Sequence, residues 1–168
     1  MRRLMIAAVL TAVALSTAAC GSDPESTPAP GGDGTSTSAA AAPATAPDPC
    51  ALVTKAEAAA ALGEPVDDGI RNDSGGLPGQ RDCQYFVTGS VRMTGLSVIP
   101  GDQTLWDNFK SQAGTIRELS GLGDEAFAID NMIYVRTRNL IMLFSALSID
   151  GKGNAVVAEL APKAVARV

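Results

Sequence analysis

The sequence predicts an α+β domain in which a mainly antiparallel sheet of about five to six strands carries packed helices. Three strand-like segments, 126–129, 132–137 and 140–148, follow one another through connectors of two residues. Each connector contains an asparagine, as tight antiparallel hairpins prefer. Helical patterns lie before and after this run of strands, an order that is typical of α+β folds. About 120 residues, from 49 to 168, are enough for one hydrophobic core.

The domain opens with a short helix that has clear start and stop signals. Thr54 and Glu57 match a capping box, in which each side chain accepts a hydrogen bond from the other residue's backbone N–H. This pattern predicts a helix over 55–62 that ends at Gly63. The segment 67–81 is rich in Gly, Asp and Asn, so we expect a long loop there.

The middle of the domain is predicted to contain two strands, a helix and a third strand. Alternating apolar residues predict strands over 83–87 and 91–99. The alternation of the second strand slips at Gly95, which predicts a β-bulge. An amphipathic pattern predicts a helix over 104–112, and a strand is expected over 116–119.

The C-terminal part of the chain predicts a buried strand and a last helix. Residues 140–147 are almost continuously apolar, so we expect a central strand that is covered on both faces. Asn154 is the predicted N-cap of a helix that runs to about Arg167. Pro162 lies inside this helix and predicts a kink or a restart.

The N-terminal residues have the pattern of a secretory signal peptide over 1–19. Arg2 and Arg3 precede an uncharged apolar run of 12 residues over 4–15, and small residues follow. The apolar run is too short for a transmembrane helix, which needs about 20 residues. We therefore expect export through the general secretory route.

The segment Thr17-Ala18-Ala19-Cys20 resembles the lipobox of bacterial lipoproteins. The resemblance implies that the Cys20 thiol receives a diacylglyceryl group, whose acyl chains include palmitate, and that the signal peptide is cut just before it. Two or more acyl chains anchor a protein stably, so the chain would sit on the extracytoplasmic face of the cell membrane. The alternative is ordinary signal cleavage after Ala19, which leaves a free thiol.

Residues 20–48 are predicted to be the lipidated cysteine and a disordered tether. Pro, Ser, Thr, Ala and Gly dominate the segment, which has no large apolar residue to offset the entropy of ordering. The simplest role is a spacer that lifts the domain off the membrane. The alternative adds O-glycans at Thr27, Thr35, Thr37 or Thr45.

Two cysteines remain in the domain, Cys50 and Cys83. In an exported protein such a pair is most simply a disulfide. One alternative is two buried thiols. Another is a metal site, for which two sulfurs without a histidine are too few ligands.

Composition excludes several classes of function. Residues 49–168 contain 14 acidic and 11 basic side chains, a net charge of −3, whereas nucleic acid requires a basic face. The chain has no histidine, which removes the commonest general base, the commonest zinc ligand and every imidazole-based triad. With no catalytic, metal or cofactor motif found, we predict a protein that is not an enzyme.

Several short motifs in residues 48–168 resemble a family of small actinobacterial lipoproteins catalogued as a domain of unknown function. The motifs are Asp48-Pro49-Cys50 with the helix start that follows it, Cys83 with Tyr85, and Gly121-Leu122-Gly123-Asp124-Glu125-Ala126. The resemblance implies a Cys50–Cys83 bridge and a compact α+β module in the cell envelope. By analogy with some related lipoproteins, it also implies a PsbP-like α/β/α sandwich.

One stripe of side chains is a candidate binding face. Tyr134, Arg136 and Arg138 occupy even positions of the strand predicted over 132–137 and just beyond it, and so share a face. Tyr and Arg are enriched in binding surfaces, so the stripe suits an anionic lipid headgroup or an acidic partner. The alternative is a solvated sheet face that the arginine stems partly cover.

The sequence therefore predicts a membrane-anchored binding module of the cell envelope, whose partner is an envelope protein or a lipid ligand. The alternative is a carrier of a lipid or another small apolar ligand in a cavity between sheet and helix.

Overall fold

The computed structural model of the protein describes residues 45–168. It contains a seven-stranded antiparallel sheet with four helices packed on it, which confirms the predicted α+β class with more strands than expected. Within these residues no helix is long and apolar enough to cross a membrane. The predicted signal peptide, Cys20 and most of the predicted tether lie outside the described residues.

The helices and strands of the described part follow one another in a mixed order. They are α1 Pro49–Leu52, α2 Lys55–Leu62, β1 Ile70–Asn72, β2 Arg81–Phe86, β3 Met93–Pro100, α3 Gln103–Gln112, β4 Arg117–Leu119, β5 Glu125–Ile129, β6 Met132–Thr137, β7 Leu140–Leu147 and α4 Gly153–Val165.

The strand order in the sheet is β1-β2-β3-β7-β6-β5-β4, which places β7 at the centre. Ile141 and Met142 are adjacent on β7, so they point to opposite faces, and neither has exposed surface. The prediction of a central strand is therefore confirmed. Its first half is covered on both faces, whereas Leu147 at its end is 51% exposed on one face. The additional strand, β1, lies within the predicted loop over 67–81 and consists of three exposed residues paired with β2.

The β-bulge predicted at Gly95 is wrong. Gly95 pairs with Gln84 of β2 and with Ser145 of β7, and the register continues unbroken on both sides of it. The apparent slip arises because Thr94, a polar residue, occupies a buried position. Its hydroxyl donates to the Ser145 carbonyl at 3.0 Å, which makes burial of the hydroxyl tolerable.

The main core lies on one side of the sheet, the first face, beneath α1, α2 and α4. Val157 and Ala161 of α4 have no exposed surface and belong to the same buried cluster as Phe144 of β7.

The helix α4 continues through Pro162. The predicted N-cap Asn154 is wrong, because α4 starts at Gly153 and Asn154 therefore lies inside the helix.

The predicted capping box is present at the start of α2, and its glutamate also binds an arginine near the C-terminus of the domain. The Thr54 side chain accepts from the Glu57 N–H, and Glu57 accepts from the Thr54 N–H at 3.0 Å. Glu57 also receives two guanidinium hydrogen bonds from Arg167, at 2.9 and 2.6 Å. Hydrogen bonds from Arg167, and to a smaller extent those from Thr54, lower the pKa of Glu57 to about 2.

The opposite side of the sheet, the second face, is only partly covered. The helix α3, whose N-cap Asp102 accepts from the Leu105 N–H at 3.0 Å, lies over one part of it. Trp106 of α3 is fully buried there in a small cluster with Phe127 and Ile141. Leu77, from the loop before β2, packs against the same cluster.

The last residues of the predicted tether contact the domain. Ala46 is 1% exposed, and its carbonyl accepts from Arg81 at 3.3 Å. Asp48 caps α1 by accepting from the Cys50 N–H and pairs with Arg71, both at 3.0 Å. The pairing with Arg71 is the main reason why the pKa of Asp48 is lowered.

Candidate functional site

Tyr134, the first residue of the predicted binding stripe, lies under α3. Its ring stacks on Phe127 with centroids 4.7 Å apart and meets Phe109 of α3 at 5.9 Å. Aromatic pairs at such distances add to the stability that burial provides. Tyr134 therefore belongs to the packing of α3 on the second face and has only part of its surface free for a partner.

Arg136, the second residue of the stripe, is held in an ion pair. Its guanidinium donates to Glu125 at 2.8 Å, and Trp106 Nε1 donates to the other oxygen of the same carboxylate at 2.9 Å. These two donors, Arg136 first, lower the pKa of Glu125. The network links α3 to β5 and β6, so we assign it a structural role.

Arg138, the third residue, follows the end of β6 and occupies a turn. Its φ of 54° lies in the left-handed region that favours glycine. The Arg138 N–H donates to the Asp124 carboxylate at 2.7 Å, which helps to fix this turn. Its exposed side chain makes no ion pair with any residue from 45 to 168. The structure thus divides the stripe into a packed tyrosine, a paired arginine and an exposed arginine.

The Cys50–Cys83 disulfide is present, as the sequence predicts, and joins α1 to β2. Tyr85, two residues after Cys83 on the same face, donates to the Val53 carbonyl at 2.7 Å. Gly69 lies so close to this pair that a Cβ there would be 2.8 Å from the Tyr85 ring and 3.0 Å from the Cys83 Sγ. The bridge, the tyrosine and the glycine form a rigid, close-packed corner.

The acidic residues of the loop between α2 and β2 point to separate partners. Asp67 accepts from Thr88 at 2.8 Å, Asp68 pairs with Lys55 at 2.8 Å, and Asp73 pairs with Arg81 at 3.0 Å. Across residues 45–168 the structure contains no group of three or more His, Cys, Asp or Glu side chains that is placed to hold a metal ion.

The part of the second face that neither α3 nor the Leu77 loop covers forms a candidate site that the sequence analysis missed. We call it the open sheet face, and it is formed by strands β1, β2, β3, β7 and β6. Two neighbouring rows of side chains cross these strands. The first row consists of Phe86, Met93 and Leu147. The second row consists of Ile70, Gln84, Gly95, Ser145 and Met132.

The open sheet face carries no charge in these two rows and is mostly apolar, with Gln84 and Ser145 as its polar members. Ile70 is 57% exposed and Leu147 is 51% exposed, while Phe86, Met93 and Met132 are half-buried. None of these five side chains belongs to either of the two buried clusters. Gly95 and Ser145 are small and lie between the larger side chains, so the middle of the face is shallow.

A sequence signal for the open sheet face does exist. The residues of β3 that alternate with its buried positions are Met93, Gly95 and Ser97, and none of them is charged. On β7 the corresponding outward residues are Leu143, Ser145 and Leu147. An apolar strand facing outward is a sign of a covered or binding face.

The fold and these sites define a class of protein: a disulfide-bonded α+β domain whose sheet is covered on one face and half open on the other. Comparison with known protein families, with curated proteins and with solved structures found no match to this chain. The predicted likeness to a PsbP-like sandwich and to the actinobacterial lipoprotein family stays a prediction.

Proposed function

We propose that this chain is an exported, lipid-anchored binding module of the cell envelope that holds an apolar segment of a partner protein on the open sheet face. The lipobox-like segment ending at Cys20 supports the anchor, and the family resemblance supports the cellular setting. The single observation that carries the binding function is the uncharged, half-exposed sheet surface.

The open sheet face has the composition of the centre of a protein interface. Such centres are depleted of charged residues and enriched in aromatic residues and methionine, as Phe86, Met93 and Met132 are here. Monomeric soluble proteins rarely expose contiguous apolar surface of this kind, and large patches mark interaction sites. We therefore infer that a partner covers this face in the cell.

The two methionines indicate how the face accommodates its partner. Methionine is unbranched and has three rotatable bonds, so it adapts its shape to an incoming apolar side chain. Met93 already leans over Gly95, where its Cε would be 3.4 Å from an added Cβ. Movement of this side chain opens or closes the shallow middle of the face without a backbone change.

The charged pair on the second face is already engaged. Arg136 pairs with Glu125, and Trp106 donates to the same carboxylate. A binding module needs an accessible surface rather than a free general base.

The experiment that tests the proposal is photo-crosslinking in living cells from the full chain. A photoreactive amino acid replaces Met93 at the centre of the open sheet face or, as a control, Ala155 on the exposed side of α4. We expect a discrete adduct with a protein from position 93 and none from position 155.

A matched pair of substitutions then tests where the partner binds. With the photoreactive residue at position 93, Leu147→Lys is expected to abolish the adduct because a charge enters the row that Met93 occupies. Ile149→Lys places the same charge on a residue that is 80% exposed outside the strands, and the adduct should persist. An adduct that survives Leu147→Lys, or that forms equally from position 155, would refute the proposal.

A further inference from the structure

A second recess lies on the first face of the sheet, between α4 and the edge strand β4, and we call it the α4–β4 cleft. It has a volume of about 260 Å³. Its walls are Leu119 and Leu122 beside the edge strand, Ile133 of β6, and Ala158 and Pro162 of α4. The two leucines are half-buried and Ile133 is only 4% exposed, so the cleft has an apolar floor that opens to solvent.

A cationic side chain without a carboxylate partner stands at the rim of this cleft. Among the seven arginines of residues 45–168, five are ion-paired, and these are Arg71, Arg81, Arg92, Arg136 and Arg167. The other two are Arg138, at its turn, and Arg117, which lines the cleft. The guanidinium of Arg117 is therefore available to an anion from outside the domain.

A neighbouring cleft restricts the direction from which such an anion arrives. This cleft, of about 300 Å³, shares Arg117 with the α4–β4 cleft, and its lining also includes Asp130 and Asn154. The Asp130 carboxylate disfavours an anion there. The α4–β4 cleft, whose lining has no carboxylate, is the more favourable of the two for a ligand whose anionic group meets Arg117.

We propose that the α4–β4 cleft binds a small anionic amphiphile, a carboxylate with an alkyl chain of about eight carbons. The carboxylate meets Arg117, which suits carboxylates because its planar guanidinium donates two parallel hydrogen bonds. The cleft volume of about 260 Å³ is of the order of the liquid volume of such an alkyl chain, at about 30 Å³ for each methylene-sized group. The long chains of membrane lipids exceed this space. This site is separate from the open sheet face, so it stands or falls independently of the proposed function.

The test is a titration of the full chain, carrying Cys20→Ser so that no acyl group competes, with octanoate as the probe. Chemical shifts of backbone amides should move at Gly121, Leu122 and Ala158, with a dissociation constant of about 1 mM. Hexanoate should bind about tenfold more weakly because two methylenes are lost. Decanoate should bind no more tightly than octanoate, because the cleft is already full.

Two pairs of variants locate the site. Arg117→Gln should weaken octanoate binding about tenfold, whereas Arg138→Gln, the other unpaired arginine, should leave it unchanged. Ala158→Leu should block the cleft, whereas Ala155→Leu adds the same bulk to the exposed side of α4 away from the cleft. All four positions are exposed, so the fold tolerates these changes.

Three results would overturn the proposal. The first is equal binding of octylammonium and octanoate, because it would show that Arg117 does not select for charge. The second is an affinity that keeps rising through decanoate, which indicates unspecific apolar contact. The third is a set of shifts that map to Met93 and Leu147 on the open sheet face.

Discussion

Loss of the Cys50–Cys83 bridge is expected to destabilise the protein by about 4 kcal/mol. The two cysteines are 33 residues apart in sequence. In the chain-entropy model, a cross-link over that separation removes roughly 12 cal/mol/K from the unfolded ensemble, which is about 4 kcal/mol at 25 °C. Since folded domains have a total stability of about 5–15 kcal/mol, the bridge supplies a large share.

The measurement is urea unfolding of the full chain and of the double variant Cys50→Ala, Cys83→Ala. The variant should unfold at lower urea concentration and show a midpoint temperature about 15 °C lower. Part of any loss comes from packing, because Cys83 is 1% exposed and alanine leaves a small void there.

Reduction of the unsubstituted chain separates the two contributions. A reducing agent breaks the cross-link but keeps both sulfur atoms, so it should produce most of the same destabilisation. The same agent should have no effect on the double variant. A loss below about 1 kcal/mol in both experiments would refute the entropy argument and show that the unfolded chain gains little freedom from opening this loop.

Three further predictions concern a salt bridge, a turn and the anchor. Glu57→Gln should cost about 2 kcal/mol at pH 7 by urea unfolding, after an allowance for solvent screening of a pair that is partly exposed. The pKa of Glu57 is lowered to about 2 in the folded state, so its contribution to the free energy of unfolding is present above the ordinary carboxyl pKa and is lost as pH falls from about 4.5 to 2. If the stability of Glu57→Gln fell with pH as steeply as that of the unsubstituted chain over this range, the result would contradict this assignment. In thermal unfolding, Gly123→Ala should lower the stability by at least about 2 kcal/mol more than Gly121→Ala does. Both glycines have a positive φ, but only at position 123 would a Cβ lie 2.6 Å from the Arg136 carbonyl oxygen. Equal losses of stability would contradict this close approach. Intact mass of the membrane-extracted protein should show cleavage before Cys20 and an acyl increment, both absent in Cys20→Ser, and an unmodified thiol would exclude the anchor.

Local signals predicted those parts of the fold that local chemistry determines. Thr54 and Glu57 are three residues apart and cap α2 through contacts within one helical turn. The apolar run of β7 requires a partner on each face, so its central position followed from composition alone. The disulfide followed from the number of cysteines in a chain that the sequence predicts to be exported.

The missed features depend on distant parts of the chain. The strand β1 has three exposed residues and no side-chain pattern, and it exists because the backbone of β2 pairs with it. Thr94 is a polar residue in a buried row, so alternation by hydrophobicity misplaced a bulge beside it. The packing of Tyr134 was missed for the same reason, because the side chain that packs against it, Phe109 of α3, lies more than twenty residues earlier in the sequence.

The candidate site illustrates the same division. Alternation along β6 gives the face on which Tyr134 and Arg136 lie, but it does not show that α3 stops short of the strands on the other side of β7. The length of α3, ten residues, sets the boundary between the covered and open parts of the second face. The uncharged outward residues of β3 and β7 indicate the face itself, but its boundary is a property of tertiary packing and depends on where α3 lies.

The shortness of the two outer strands limits how copies of the protein can associate through the edges of the sheet. The sheet ends in β1 on one side and β4 on the other, and each has only three residues. A neighbouring copy that tried to continue the sheet would gain few backbone hydrogen bonds and would meet Arg71 or Arg117 at the middle or start of the strand. Edge-to-edge polymerisation of copies is thereby disfavoured.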